Sequence, residues 1–409
     1  MQLYQNRLRK TAKRLGNQQI QPINTINHTM SKEKKKKPQT KTKMHSNNRH
    51  RERYDLPLLV KNHPDLGQYV RPNKYGDDSI DFANPAAVKS LNTALLMHYY
   101  DLKFWEIPEG YLCPPVPGRA DYLHHASDLF SAINFGKVPK GEKFRVLDIG
   151  VGANCIYPIV GVKEFGWKFI GSDIDETAIA SAQKIVDNNP NLKDKVDLRL
   201  QTNKRDILHG ILEKDDRVEL VVCNPPFHAS AEDAQEATMR KVNNLKRKDH
   251  KGFRKKKEEE KPVLNFGGQS NELWVEGGEK RFLKDMIRSS KKFPENVFWF
   301  TALVSKENTL RGLYESLRAA RATDVRTIPM GTGNKSTRIL AWTFQTREGQ
   351  RTWVDKRIRD EKDIGKPLTT VDLTESRPDE IRDKRPVTAP RPPRKPLIVR
   401  RKGKELKRF

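Results

Sequence analysis

Residues Val146-Leu147-Asp148-Ile149-Gly150-Val151-Gly152 run from an apolar stretch into an acid and two glycines. This pattern predicts a buried strand that ends in a tight turn, because glycine tolerates positive φ and lets a ligand approach the backbone. Asp173 follows 21 residues after Gly152, at the end of a second apolar run, Trp167–Ser172. An acid at that interval suits the hydroxyls of a ribose. Asp173 and Asp175 also precede a helix-like stretch, where either would serve as an N-cap. Strand-end position and interval favour the ribose assignment. A dinucleotide site needs a third glycine at position 155, which is Cys155. A nucleoside cofactor without phosphate, S-adenosyl-L-methionine, needs only the close backbone approach.

Outward from this stretch, strand-like and helix-like segments alternate. Strands are expected at Phe144–Ile149, Trp167–Ser172, Val196–Leu200, Glu219–Cys223 and Val297–Val304, and helices at 119–134, 154–165, 175–188, 279–291 and 307–319. Alternation of this kind predicts a parallel sheet with crossover helices. Two further strands, Val325–Pro329 and Arg338–Gln345, flank Gly331-Thr332-Gly333-Asn334-Lys335, a hairpin turn. The resulting fold class is α/β: a Rossmann-like class I methyltransferase, with a mostly parallel seven-stranded sheet closed by an antiparallel hairpin.

Asn224-Pro225-Pro226-Phe227 terminates the run Glu219–Cys223. The exocyclic amine of adenine is a poor nucleophile, because its lone pair is delocalised into the ring. Acceptors on its two N–H bonds draw that pair back toward nitrogen. The Asn224 side-chain oxygen and the Pro225 carbonyl suit this role, and Pro225 and Pro226 stiffen the loop that aims them. Phe227 suits stacking on a base. Without the preceding strand order, a plain Pro-Pro strand terminator would explain Asn-Pro-Pro about as well. Tyrosine in place of Phe227 would keep a protein-glutamine substrate nearly level with a nucleobase.

The chain has 409 residues, with 35% hydrophobic and 32% charged residues and a net charge of +27. So basic a balance favours a polyanionic partner through counterion release at phosphates. Three scattered cysteines, Cys113, Cys155 and Cys223, exclude a disulfide framework and fit a reducing compartment. No apolar run reaches the ~18 residues of a membrane span, so a cytoplasmic location is expected. The first 32 residues lack any acidic residue, superficially as in a transit peptide, and lack the apolar stretch of a secretion signal; a basic RNA-binding tail, or sequence upstream of a start at Met30, is the favoured explanation of the same residues. His124 and His125 adjoin without further ligands at metal-site spacing, so no metal is expected.

Composition divides the chain into a basic tail (1–43), an N-terminal segment (44–118), a catalytic region (119–346) and a polar C-terminal extension (347–409) expected to be largely disordered. Residues 240–261 hold eleven Lys/Arg against four Asp/Glu, and residues 391–409 nine against one. Such runs are expected on the surface.

Several segments together resemble the bacterial ribosomal RNA large subunit methyltransferase F family and its eukaryotic relatives that methylate a small nuclear RNA. They are Met44-His45 through Tyr54, Leu112–Tyr122, Asp148–Pro158, Asn224–Phe227 and Glu276-Gly277-Gly278-Glu279. The resemblance runs from about Met44 to Gln345. It implies transfer of a methyl group from S-adenosyl-L-methionine to N6 of one adenine in 23S ribosomal RNA or a large-subunit assembly intermediate. The chain is expected to be a monomer. The resemblance also implies that Arg119 of the Pro-x-Arg-x-x-Tyr segment reaches the cofactor carboxylate. Asp148, Gly150, Gly152, Asp173 and Asn224 fall on the family's cofactor site, with a further contact near Thr202. Arg49, Arg51 and Arg53, in a segment that resembles an RNA-binding module, and Lys335 and Arg338, beside the hairpin, are the expected RNA contacts. Protein-glutamine methylation and a non-catalytic RNA-binding scaffold are the competing readings.

Overall fold

The computed structural model describes residues 44–73, 75–203, 205–233, 236, 270–332 and 335–358, without the side chains of 270, 271, 332, 335, 336 and 358. The tail 1–43, the insertion 240–261 and residues 359–409 lie outside the described residues.

A seven-stranded sheet carries the fold. A separate two-stranded hairpin, β1 (Val70–Pro72) and β2 (Asp78–Ile80), precedes it. The sheet strands are β3 (Arg145–Ile149), β4 (Lys168–Asp173), β5 (Val196–Leu200), β6 (Val218–Cys223), β7 (Val297–Val304), β8 (Asp324–Thr332) and β9 (Lys335–Thr343). Their spatial order is β5-β4-β3-β6-β7-β9-β8. The first five are mutually parallel, and β9 lies antiparallel between β7 and β8. Chain order reverses beside β3, so β3 and β6 are neighbours and their carboxyl ends flank the switch point where open α/β sheets bind ligands. The closing hairpin extends further than its periodicity predicts: pairing continues to Thr332↔Lys335.

Alternation explains the layering. Along β3, Val146 joins one apolar cluster and Leu147 and Ile149 the other. Every residue of β6 and β7 is buried, as expected of strands covered on both faces. Helices α1 (Leu56–Asn62), α2 (Pro85–Tyr100), α3 (Val116–Ser131), α4 (Ile156–Phe165) and α5 (Glu176–Asp187) contribute to the first cluster. Beyond a single turn, α6 (Ser270–Leu273), helices α7 (Gly278–Ser290) and α8 (Glu307–Ala320) build the second.

Residues 44–118 therefore share the core of the catalytic region, and α3 begins at Val116, inside the segment boundary drawn from composition. Residues 347–358, placed by composition in the extension, are also ordered. Helix α9 (Arg347–Trp353) and the wider turn after it pack on the sheet. There the buried Glu219 carboxylate accepts from the Arg145 amide (2.7 Å), Trp353 Nε1 (3.2 Å) and Arg357 Nε (2.6 Å). Burial raises the Glu219 pKa, and the Arg357 charge opposes that shift. No described helix is long and apolar enough to cross a membrane.

Candidate active site

At the carboxyl ends of β3, β4 and β6 opens a cavity of about 810 Å³. The β3 turn shapes its floor. Gly150 and Gly152 have φ of +75° and +65°, a region costly for other residues. A Cβ on Gly150 would meet nothing within 4 Å, so the turn leaves open space where a ligand would press on the backbone. The amides of Gly150 and Val151 donate to the Ser172 carbonyl at 2.8 and 2.9 Å, holding the turn against β4.

Asp173 lines the cavity at the end of β4. Its Oδ2 accepts from the Gly152 amide (2.9 Å) and its Oδ1 from the Asp175 amide (3.1 Å). Asp175, not Asp173, caps α5, accepting from the Thr177 amide at 2.9 Å. Burial raises the Asp173 pKa, opposed by these backbone donors. Asp148 stands apart. It is fully buried, does not line the cavity, and neither carboxylate oxygen has a partner among the described residues. Desolvation pushes its pKa well above the carboxylate range, the Asp173 charge adds to this, and Arg119 opposes it.

Arg119, in the first turn of α3, lines the same cavity and donates to the Tyr157 hydroxyl (3.2 Å) above that ring. Asn224, Pro225 and Pro226 form the wall at the end of β6, and the Asn224 Oδ1 is buried without a partner among the described residues. Phe227 is half-buried and is not among the lining residues. Thr202 is exposed and does not line the cavity either; its neighbour Gln201 does. The reason is a one-residue offset: the Gln201 amide continues the β4–β5 ladder by donating to the Asp173 carbonyl at 2.7 Å.

The arginines near the N-terminus fall elsewhere. Arg49 pairs with Glu164, close to the end of α4, about 12 Å along the helix from its cavity-facing first turn at 1.5 Å per residue. Arg53 pairs with Asp77 (3.0 Å), and Arg51 donates to the Ser46 carbonyl (3.3 Å). The Arg338 side chain is 11% exposed and lies 3.7 Å from Glu307; the Lys335 side chain lies outside the described residues. Among the described side chains, Arg49, Arg51, Arg53 and Arg338 do not line the cavity.

What the Met44–Tyr54 segment does locally is latch onto α3. The His45 amide (2.8 Å) and Asn48 Nδ2 (3.0 Å) both donate to Asp121 Oδ1, and Asn48 Nδ2 also reaches the Pro117 carbonyl (3.0 Å). His45 Nδ1 accepts from the Asn47 amide, so Nε2 carries the proton it gives to Asp128 (2.9 Å). Ligand atoms of His45, His125 and Asp128 lie within 4.8 Å of one another, a grouping invisible in the spacing of His124 and His125. With its Nε2 protonated, His45 joins the group as a hydrogen-bond donor.

Residues across the insertion complete the wall. Glu272 accepts from the Leu112 amide at 3.0 Å, and its Oε1 lies 3.6 Å from where a Gly152 Cβ would stand. Trp274 lines the cavity and bridges to His228: the His228 amide donates to the Leu273 carbonyl and the Val275 amide to the His228 carbonyl, each at 3.1 Å. The Glu276–Glu279 segment then has a defined task. Gly277 (φ +79°) and Gly278 (φ +63°) make a left-handed entry into α7, where a Cβ on Gly278 would sit 3.4 Å from the Ala229 backbone. Buried Glu279 accepts from the Ser305 amide at 2.9 Å. No local sequence signal marks Glu272 or Trp274 as site residues.

A sequence profile described as RNA methyltransferase matches residues 38–346. The chain belongs to this RNA methyltransferase family. Among its relatives, Ribosomal RNA large subunit methyltransferase F of Cytophaga hutchinsonii is 52% identical over 310 residues, covering 76% of this chain and 94% of the relative. The protein of that name from Serratia proteamaculans is 48% identical over 312 residues, covering 76% and 90%. The methyltransferase also superposes on the hMettl16 catalytic domain solved with the MAT2A 3′UTR hairpin 1, with TM-score 0.60 and 29% identity over 75% of this chain and 96% of that one. A second match is the N-terminal domain of human METTL16 in complex with SAH, with TM-score 0.57 and 26% identity over 74% and 99%. Sheet order, switch-point cavity and family agree: this is a class I S-adenosylmethionine-dependent RNA methyltransferase.

Proposed function

We propose that this methyltransferase modifies N6 of an adenine in large-subunit ribosomal RNA, free or in an assembly intermediate. The observation that carries the reading is the buried, unpartnered Asn224 Oδ1 in the cavity that also holds Gly150, Gly152 and Asp173. An acceptor hidden from water without a partner is costly, and an exocyclic N–H supplies what it lacks. The names of the curated relatives support large-subunit ribosomal RNA as substrate class.

The residues present fit the cofactor. Open space above Gly150 accepts a close ligand, Asp173 suits ribose hydroxyls, and the planar Arg119 cation suits a carboxylate. Glu272 places a carboxylate near Gly152, suited to an amino group. When bound, S-adenosylmethionine supplies a methyl group activated by its sulfonium. Asn224 Oδ1 and the Pro225 carbonyl accept the two N–H bonds of the amine and direct its lone pair at that methyl. The prolines fix φ along the loop, so the acceptors are set before the substrate arrives. The extra proton on the methylated nitrogen then leaves to solvent, so no side chain of tuned basicity is needed. The target base must be unpaired or flipped to enter. Cytoplasmic action as a monomer, without a metal, completes the proposal.

The test is transfer from labelled S-adenosylmethionine to total RNA from cells lacking the protein, followed by nucleoside analysis. N6-methyladenosine confined to large-subunit RNA and abolished by Asn224→Ala is the expected result. Label in a protein fraction and none in RNA would replace this reading with glutamine methylation.

A further inference from the structure

Among the described residues that line the cavity, two side-chain polar atoms are buried without a partner: Asn224 Oδ1 and Trp274 Nε1. One is an acceptor; the other only donates. They arrive from sequence positions 50 residues apart, yet the fold sets them close in topology. The bridge His228↔Trp274, with its two 3.1 Å backbone bonds, fixes Trp274 beside the loop that begins at Asn224. The Gly277-Gly278 turn also lies close to the same loop, since a Cβ on Gly278 would stand 3.4 Å from the Ala229 backbone.

We infer that Trp274 is a specificity residue: its indole N–H donates to a ring nitrogen on one side of the amino group of the target base, while Asn224 accepts from the amine. This rests on the base-methylation reading above and adds how the base is chosen. Adenine satisfies both atoms, with N6–H for Asn224 and N1 or N7 for Trp274. Cytosine presents the same pair through N3 if the contact is to the N1 side, and lacks it on the N7 side, where C5–H stands. Guanine turns O6, an acceptor, toward Asn224 Oδ1, and uracil likewise offers a carbonyl where an amine is required. A site built to pair a polar group rejects the analogue lacking it far more strongly than a site built on shape. Trp274 thus adds to the amine that Asn224 grips the requirement for an acceptor nitrogen beside it, a pair that the O6 edge of guanine and the O4 edge of uracil do not offer.

The experiment uses the full chain and substrate RNA carrying adenosine, 1-deazaadenosine or 7-deazaadenosine at the position that wild type methylates. Trp274→Phe keeps an aromatic ring and the backbone bridge but removes the N–H. Its kcat/KM for adenosine RNA should fall about tenfold, the scale of one hydrogen bond to a buried group, with affinity for S-adenosylmethionine unchanged. One of the two deaza substitutions should slow wild type by a similar factor and slow Trp274→Phe no further. Equal rates for Trp274→Phe and wild type would overturn the inference. So would losses that multiply for both analogues. Should the variant fold poorly, wild type alone decides: undiminished rates on both deaza substrates would also refute it. Failure of wild type to methylate any adenine would instead refute the proposed reaction, leaving the contact without a substrate.

Discussion

The backbone amide of Cys223 donates across 3.3 Å to the hydroxyl of Tyr122, at the residue directly before Asn224. Thr301 Oγ1 donates to the Val221 carbonyl (2.7 Å) and lies 2.8 Å from the same hydroxyl, so Tyr122 gives its proton to Thr301. Both side chains are fully buried. The relay bolts the end of β6 to α3 and β7, and Tyr122 shares its motif with Arg119, three residues earlier. One helix therefore positions both the cofactor cavity and the Asn224 loop.

Removing one hydroxyl should misaim that loop without emptying the cavity. Tyr122→Phe is expected to lower kcat about tenfold, as small misplacements of reacting groups do, with the KM for S-adenosylmethionine within about twofold. Thr301→Val should do the same. The double variant should be no worse than either alone, because both break one relay. Steady-state kinetics of the three variants check this, and additive losses would argue against a shared relay.

Asp173 accepts two backbone N–H bonds and faces the cavity. Asparagine keeps the shape but offers one acceptor oxygen in place of two. Asp173→Asn should weaken S-adenosylmethionine binding by about tenfold or more, while RNA affinity stays unchanged. Calorimetric titration with cofactor and a filter assay with RNA separate the two effects.

The entry to α7 can be tested by stability alone. At Gly277 an added Cβ would stand 2.6 Å from Arg281 Cδ and 2.7 Å from its Cβ; at Gly278 the nearest atoms are at 3.4 Å. Both backbones are left-handed, which costs roughly 1–2 kcal/mol for a residue with a side chain. Gly278→Ala should therefore lose about that amount in urea unfolding, and Gly277→Ala more. Equal losses would mean that the Arg281 contact adds nothing.

Asp148 gives a pH signature. Its pKa is raised on folding, chiefly by burial, so the native state holds this proton more tightly than the unfolded chain. Below the ordinary carboxylate range both states are protonated and no difference arises. As pH rises from there toward the raised value, stability falls. Asp148→Asn removes that dependence, so its melting temperature should approach that of wild type near pH 4 and exceed it near pH 8. Calorimetry at the two pH values checks the sign; a variant less stable at pH 8 would mean that the native carboxylate is charged and paired.

Much of this molecule is written in local sequence. The strand ends at Gly150 and Asn224, the acid at Asp173 and the alternation of elements are visible because period, positive φ and proline restriction act within a few residues. The inventory of five parallel strands and a closing hairpin follows from them; the spatial order of the strands, which gathers Arg119, Gly150, Gly152, Asp173 and Asn224 around one cavity, is seen only in the structure. Other features are set by contacts between residues far apart in the chain. Arg49 is positioned by Glu164 rather than left on an open basic face. Arg357 returns to the buried Glu219 and orders a stretch whose composition is that of a tail. Asp148 lies behind the turn rather than in the cavity, and Gln201 takes the place expected of Thr202. Glu272 and Trp274 reach the wall only because backbone bonds pair 273–275 with His228 across the intervening insertion. Sequence dictates the dihedrals and periodicities that make each element; desolvation and ion pairing, which act through space, choose which side chains meet.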